Sequence, residues 1–174
     1  MNSKNILVAI AAVSVMSIPA AFAQEAPLNG ISARVGVFYP TERAARNASR
    51  TWFAAGFQYK MRDLMIGSAN PNYKAHFAVS VDFYSRNDYR VVPVLANYVG
   101  EYGDRWFYSA GAGVAFTRMP ATGTGDQERA RFAYQFGIGY NLTKGATPAF
   151  IEGKFFGNSD SEVNGFGVYA GIRF

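Results

Sequence analysis

The chain of 174 residues has no cysteine and a single histidine. Disulfide staples are therefore excluded, as are Cys₄ and Cys₂His₂ metal sites, and one His leaves little for a transition metal. Past residue 18 no stretch reaches the ~18 consecutive apolar residues that mark a membrane-spanning helix. Charge is also sparse: only 17% of residues are Asp, Glu, Lys or Arg, and the net charge is +5. That excess is spread thinly, without a basic stripe or a known motif, so nucleic acid is not an expected partner. The abundant residues are Phe (15), Tyr (11) and Gly (18), a composition that suits strands better than helices.

The first residues read as an export signal. Lys4 precedes an apolar run over 6–18, Pro19 breaks it, and Ala21-Phe22-Ala23 supplies a small-x-small cleavage pattern. The expected division is a signal peptide at 1–23 and one domain at 24–174. Lys4 is the only charge removed, so the net charge would fall from +5 to +4.

The rest alternates with a period of two, broken by turn-type residues. The last run is the clearest signpost: Phe166, Val168, Ala170, Ile172 and Phe174 share one face, and Gly167, Tyr169, Gly171 and Arg173 the other. Seven earlier runs, at 31–39, 52–61, 73–84, 89–101, 106–117, 131–142 and 148–157, behave similarly. The fourth is apolar on both faces in its middle, and Pro93, lacking a ladder donor, predicts a bulge or weakened pairing. Strands of about nine to eleven residues suit a tilted crossing of a bilayer. Eight is the even number that a closed antiparallel barrel requires.

In each run one face carries large Phe, Tyr, Val and Ile with almost no charge. The opposite face carries Gly, Ser, Ala, Asn and isolated charges. A water-facing surface so poor in charge would aggregate, whereas small polar residues suit a narrow interior. The apolar face is thus expected outside, against lipid. Aromatic residues gather at the run ends, with Trp52, Phe53, Phe83, Phe116 and Phe132 towards one rim. Tyr59, Tyr98, Trp106, Tyr108, Tyr140 and Phe174 lie towards the other, as girdles at both lipid–water boundaries would.

With these features, the chain resembles the small eight-stranded outer-membrane barrels of the OmpX and OmpA-transmembrane-domain kind. The residues that carry the likeness are the export signal, the eight alternating runs over 31–174, and the Tyr169-x-x-x-Arg173-Phe174 ending. The resemblance implies an all-β, eight-stranded antiparallel up-and-down transmembrane barrel in the bacterial outer membrane. It also implies insertion by the barrel-assembly machinery, which reads such a terminal strand. By the family's topology the connections at 62–72, 100–105 and 143–147 would be periplasmic, the first longer than is usual. Those at 40–51, 85–88, 118–130 and 158–164 would be extracellular.

Six charged residues have inward parity: Arg34, Lys60, Asp82, Glu152, Lys154 and Arg173. Buried charges must be paired or hydrated, so a cross-barrel network is expected to fill the lumen. His76, Ser80 and Asp82 share a face, but residues four apart on a strand are separated by roughly 13 Å. They do not make a catalytic set, and neither an enzymatic activity nor a cofactor is expected. On the outer loops, Arg43, Arg46, Arg50, Arg118 and Arg129 can engage lipopolysaccharide phosphates as bidentate donors. They can equally form a solvated loop face, and the residues leave both open. The Gly-x-Gly pairs lie within strands and are not phosphate loops.

The expectation is a monomeric outer-membrane barrel with a structural or surface-interaction role and outer-membrane lipid as its surroundings. The alternatives are a narrow pore, an outer-membrane lipid-modifying enzyme and a soluble lipocalin-like secreted barrel.

Overall fold

Eight antiparallel strands close on themselves in sequence order in the computed structural model, which describes residues 30–64, 72–119, 127–145, 147–159 and 163–174. The export signal expected at 1–23 lies outside the described residues, as do the whole β5–β6 connection at 120–126 and parts of three others. The strands are β1 (Ile31–Pro40), β2 (Trp52–Leu64), β3 (Tyr73–Arg86), β4 (Tyr89–Tyr102), β5 (Trp106–Met119), β6 (Gln127–Asn141), β7 (Ala149–Asn158) and β8 (Gly165–Arg173). A six-residue helix, α1 (Arg43–Ala48), sits in the β1–β2 connection. Closure is made by β1 against β8, from Ser32 opposite Arg173 to Pro40 opposite Gly165. Backbone hydrogen bonds from Gly30 to the Phe174 carbonyl and from Phe174 to the Ile31 carbonyl complete the seam. Two ends result: a terminal end, where the chain enters and leaves the barrel, and a long-loop end carrying α1.

The period-two pattern dictates which side each residue takes. The alternating Phe, Tyr, Val and Ile residues stand on the outside, where Phe57, Phe77, Val94, Phe136, Ile151 and Val168 are exposed. On β5 the outward series runs Trp106, Tyr108, Ala110, Ala112, Val114, Phe116 without a charge. Ten residues of strand at ~3.4 Å each, tilted by about 40°, rise roughly 26 Å, close to the height of a lipid-facing band.

Two local features depart from the ideal ladder. Pro93 interrupts the β3–β4 pairing between Val81–Val94 and Tyr84–Val91, yet the register on either side is unchanged. The missing N–H weakens the ladder without making a bulge. The bulge lies instead in β2, where the register against β3 slips between Lys60 and Arg62. Met61 is the extra residue. Its insertion turns Asp63 to the same side as Lys60, and the two pair at 2.6 Å.

The girdle assignment of Trp52 is corrected. Trp52 has inward parity and is fully buried, with its ring 6.0 Å from Phe38 and its Nε1 donating to the Ser49 carbonyl. A large apolar residue at a strand end fits either boundary, and here parity decides.

Candidate functional site

Inward side chains fill the lumen in three tiers. Nearest the long-loop end is an aromatic tier in which Phe38 stacks on Tyr84 at 4.5 Å and Tyr84 meets Phe156 at 5.3 Å. Trp52, Val91, Leu95 and Val163 complete it. Burying aromatic rings of this size supplies much of the apolar core of so narrow a barrel.

The middle tier is ionic. Arg34 of β1 donates to Asp82 of β3 through Nε at 2.9 Å and Nη2 at 2.7 Å. Lys154 of β7 donates to the other Asp82 oxygen at 2.7 Å. Arg34 Nη1 also stands 3.4 Å from Glu152. Two cations and two carboxylates thus balance, all fully buried. The Tyr169 ring lies against both cations, 5.8 Å from the guanidinium and 5.6 Å from the ammonium. Gly56 makes the approach of β1 and β3 side chains feasible, because a Cβ there would stand 1.9 Å from Asp82 Oδ1. Beside this cluster Asn97 and Gln135 each donate to Ser80 Oγ, at 2.9 and 3.4 Å, and Gln135 also bonds Asn97.

The third tier faces the terminal end. Arg173 bonds Glu101 at 2.8 Å and lies over the ring of Phe107 at 4.8 Å, with Phe150 alongside. Of the six inward charges, then, Arg34, Asp82, Glu152 and Lys154 meet in one cluster. Arg173 belongs to a separate pair with Glu101, a partner the sequence reading passed over. Lys60 is part-exposed at the mouth beside Asp63, and its ammonium holds that exposed carboxyl below the usual carboxylate range. The missed features carried a parity signal: Glu101, Phe38, Tyr84 and Phe156 all alternate with outward residues.

His76, Ser80 and Asp82 have separate surroundings: Ser80 is held by amides and Asp82 by cations. Among the described residues no group of three or more His, Asp and Glu could hold a metal ion.

At the long-loop end, Arg43 and Arg46 stand exposed on α1, Arg50 is exposed after it, and Arg118 and Arg129 border a cleft of about 260 Å³. Lysine is unevenly placed along the barrel, whereas arginine occurs at both ends, with Arg62, Arg105 and Arg173 at the terminal one. Among the described residues the long-loop end carries Arg43, Arg46, Arg50, Arg86, Arg90, Arg118, Arg129 and Arg131, and no lysine. Lys60, Lys74 and Lys144 all lie towards the terminal end.

No family model matches the chain, and no curated protein sequence matches it. Among solved structures, the N-terminal β-barrel domain of Pseudomonas aeruginosa OprF aligns with a TM-score of 0.53 at 12% identity. That alignment covers 84% of this chain and 98% of that one. The outer membrane enzyme PagL aligns with a TM-score of 0.45 at 13% identity, over 82% of this chain and 95% of its own. At 12% identity the likeness to the OprF domain is one of fold. The chain has the closed eight-stranded, up-and-down architecture of the small outer-membrane barrels.

Proposed function

We propose that the protein is a monomeric integral barrel of the bacterial outer membrane, exported by its N-terminal signal and inserted by the barrel-assembly machinery. Its role is structural or interactive, carried by its outer surface and loops, and not catalytic. The observation that carries the reading is the inversion of an ordinary soluble barrel. Residues of β5 from Trp106 to Phe116 present an uncharged band outward, while Arg34, Asp82, Glu152 and Lys154 are buried inside. A soluble lipocalin-like barrel requires the opposite arrangement, with an apolar ligand cavity within and charges without. The stacked tiers of rings and ion pairs favour a filled lumen over a narrow pore. The separate engagement of Ser80 and Asp82 by other partners favours a non-catalytic role over a lipid-modifying one.

At the long-loop end the arginines would contact phosphates of lipopolysaccharide. A guanidinium grips a phosphate with two parallel donors, and an ammonium does not. An arginine-only end therefore suits a phosphate-rich leaflet.

Fractionation tests the reading. The protein is expected in the outer-membrane fraction, requiring detergent for extraction and migrating faster on gels when unheated. Recovery in the aqueous phase without detergent, with no heat-dependent mobility, contradicts it. In planar bilayers no discrete conductance is expected, and regular single-channel steps would favour the pore.

A further inference from the structure

We infer that the cleft on the outer wall across β4, β5 and β6 binds one phosphorylated lipid headgroup, with Arg90 and Arg118 as its phosphate donors. The inference rests on the membrane reading above and gives its lipid contact an address and a chemistry.

Arg90 and Arg118 stand directly opposite each other in the β4–β5 ladder, and Val92 and Phe116 form the next outward pair. Phe116 ends the uncharged outward series of β5, and Arg118 is the next outward residue. The two guanidinium groups therefore occupy the level where acyl chains give way to headgroups. The cleft, about 260 Å³, is lined by both arginines together with Val92, Phe116, Thr117, Arg129 and Ala130. This is below the roughly 300–1,000 Å³ of sites that engulf a small molecule. It suits a headgroup held at the edge of the wall, with its chain lying on Phe116 and Val92.

Like charges directly opposite on a sheet repel. Arg129 of β6 lines the same cleft and adds a third positive charge to its rim. A bridging phosphate offsets that excess and the cross-strand repulsion together. Arg90 also lies over the Phe83 ring at 5.8 Å, which limits its freedom before any ligand arrives. A soluble anion would use the guanidinium pair but gain nothing from the exposed Phe116 beneath. The apolar floor and the charged rim together specify a lipid.

The test uses the folded protein in detergent micelles, with lipid retention read by native mass spectrometry. The probes are lipid A carrying two phosphates, the same lipid dephosphorylated, and inorganic phosphate. Wild-type protein is expected to retain the phosphorylated lipid. R90Q/R118Q should weaken retention at least about tenfold, the scale of losing charge-assisted hydrogen bonds. K74Q/K144Q, at the terminal end of the barrel and away from the cleft, should stay within about twofold. R90K/R118K keeps the charge but not the forked geometry. It should fall about fivefold, and it replaces the Gln pair should that variant fail to fold.

Equal retention by wild type and both Arg90/Arg118 variants overturns the proposal, as does equal binding of dephosphorylated lipid. Full competition by millimolar inorganic phosphate would assign the cleft to a free anion and overturn the lipid. A protein that folds normally in micelles yet shows these results refutes the cleft and leaves the membrane reading intact. A protein that never requires detergent refutes both.

Discussion

Replacing Asp82 by Asn tests the central tier of the lumen most severely. Asp82 is 1% exposed and is the acceptor shared by Arg34 and Lys154. In Asp82→Asn, two buried cations face one remaining carboxylate, Glu152, which stands 3.4 Å from Arg34. Breaking a buried pair by removing one partner costs about 3–5 kcal/mol, because the other charge stays desolvated and uncompensated. Here one substitution strips two cations, which pushes the cost up. The Asn carbonyl still accepts a hydrogen bond, which returns about 1 kcal/mol. A net loss of about 4 kcal/mol is expected.

The assay is urea unfolding of the barrel in lipid vesicles, with the folded fraction read from the mobility of unheated samples. With a slope of about 2 kcal/mol per molar urea, the midpoint should fall by about 2 M. A shift below about 0.5 M, a quarter of that expectation, would mean that Asp82 is not the charge that holds Arg34 and Lys154 in the lumen. A second variant separates charge from shape. Arg34→Met, Asp82→Leu, Glu152→Leu and Lys154→Met together remove all four charges, and stability should return to within about 2 kcal/mol of wild type. Should the quadruple variant be as weak as Asp82→Asn, lost geometry and not unpaired charge sets the cost.

Three further outcomes follow from the same packing. Gly56→Ala places a methyl group 1.9 Å from Asp82 Oδ1, so the ion cluster must shift. The expected cost is about 1–3 kcal/mol in the same urea assay, and a neutral result would mean that β2 leaves more room than its contacts imply. Arg173→Gln removes a part-exposed pair with Glu101. Solvent screening limits its cost to about 1 kcal/mol or less, measured likewise. Shrinking the aromatic tier with Phe38→Ala and Phe156→Ala should lower stability by about 3–5 kcal/mol for each ring. It should still produce no regular conductance in planar bilayers while the ion cluster below remains intact.

Much of this architecture was legible because strand parity is a strict rule. Apart from the end of β2 beyond Met61, the outward series from Val35 and Val37 on β1 to Phe166 and Val168 on β8 follow from alternation alone, and so does the inward placement of Arg34, Asp82, Glu152 and Lys154. Partnership was less legible. Arg34 and Asp82 are 48 residues apart, and their meeting depends on strand stagger and on the space left at Gly56. Stagger is a property of closure and leaves no local trace in the chain. The bulge at Met61 also escaped, because a single inserted residue looks like ordinary alternation until the partner strand is aligned. Trp52 was misassigned for a different reason. Aromatic residues near strand ends suit both a lipid girdle and a plugged lumen, and only the parity of the neighbouring Phe53 separates them. At the long-loop end the arginines were visible, but the facing of Arg90 and Arg118 appeared only with the β4–β5 register.

The chain's two tryptophans give the most direct test of which face meets lipid. Trp106 is 53% exposed on the outer wall, and Trp52 is fully enclosed in the lumen. Single-tryptophan variants, Trp52→Phe and Trp106→Phe, would be folded into vesicles whose acyl chains carry bromine. With the apolar face against lipid, the brominated chains should quench Trp106 fluorescence strongly and Trp52 almost not at all. Quenching of Trp106 by aqueous iodide instead, with no response to bromine in the lipid, would contradict it.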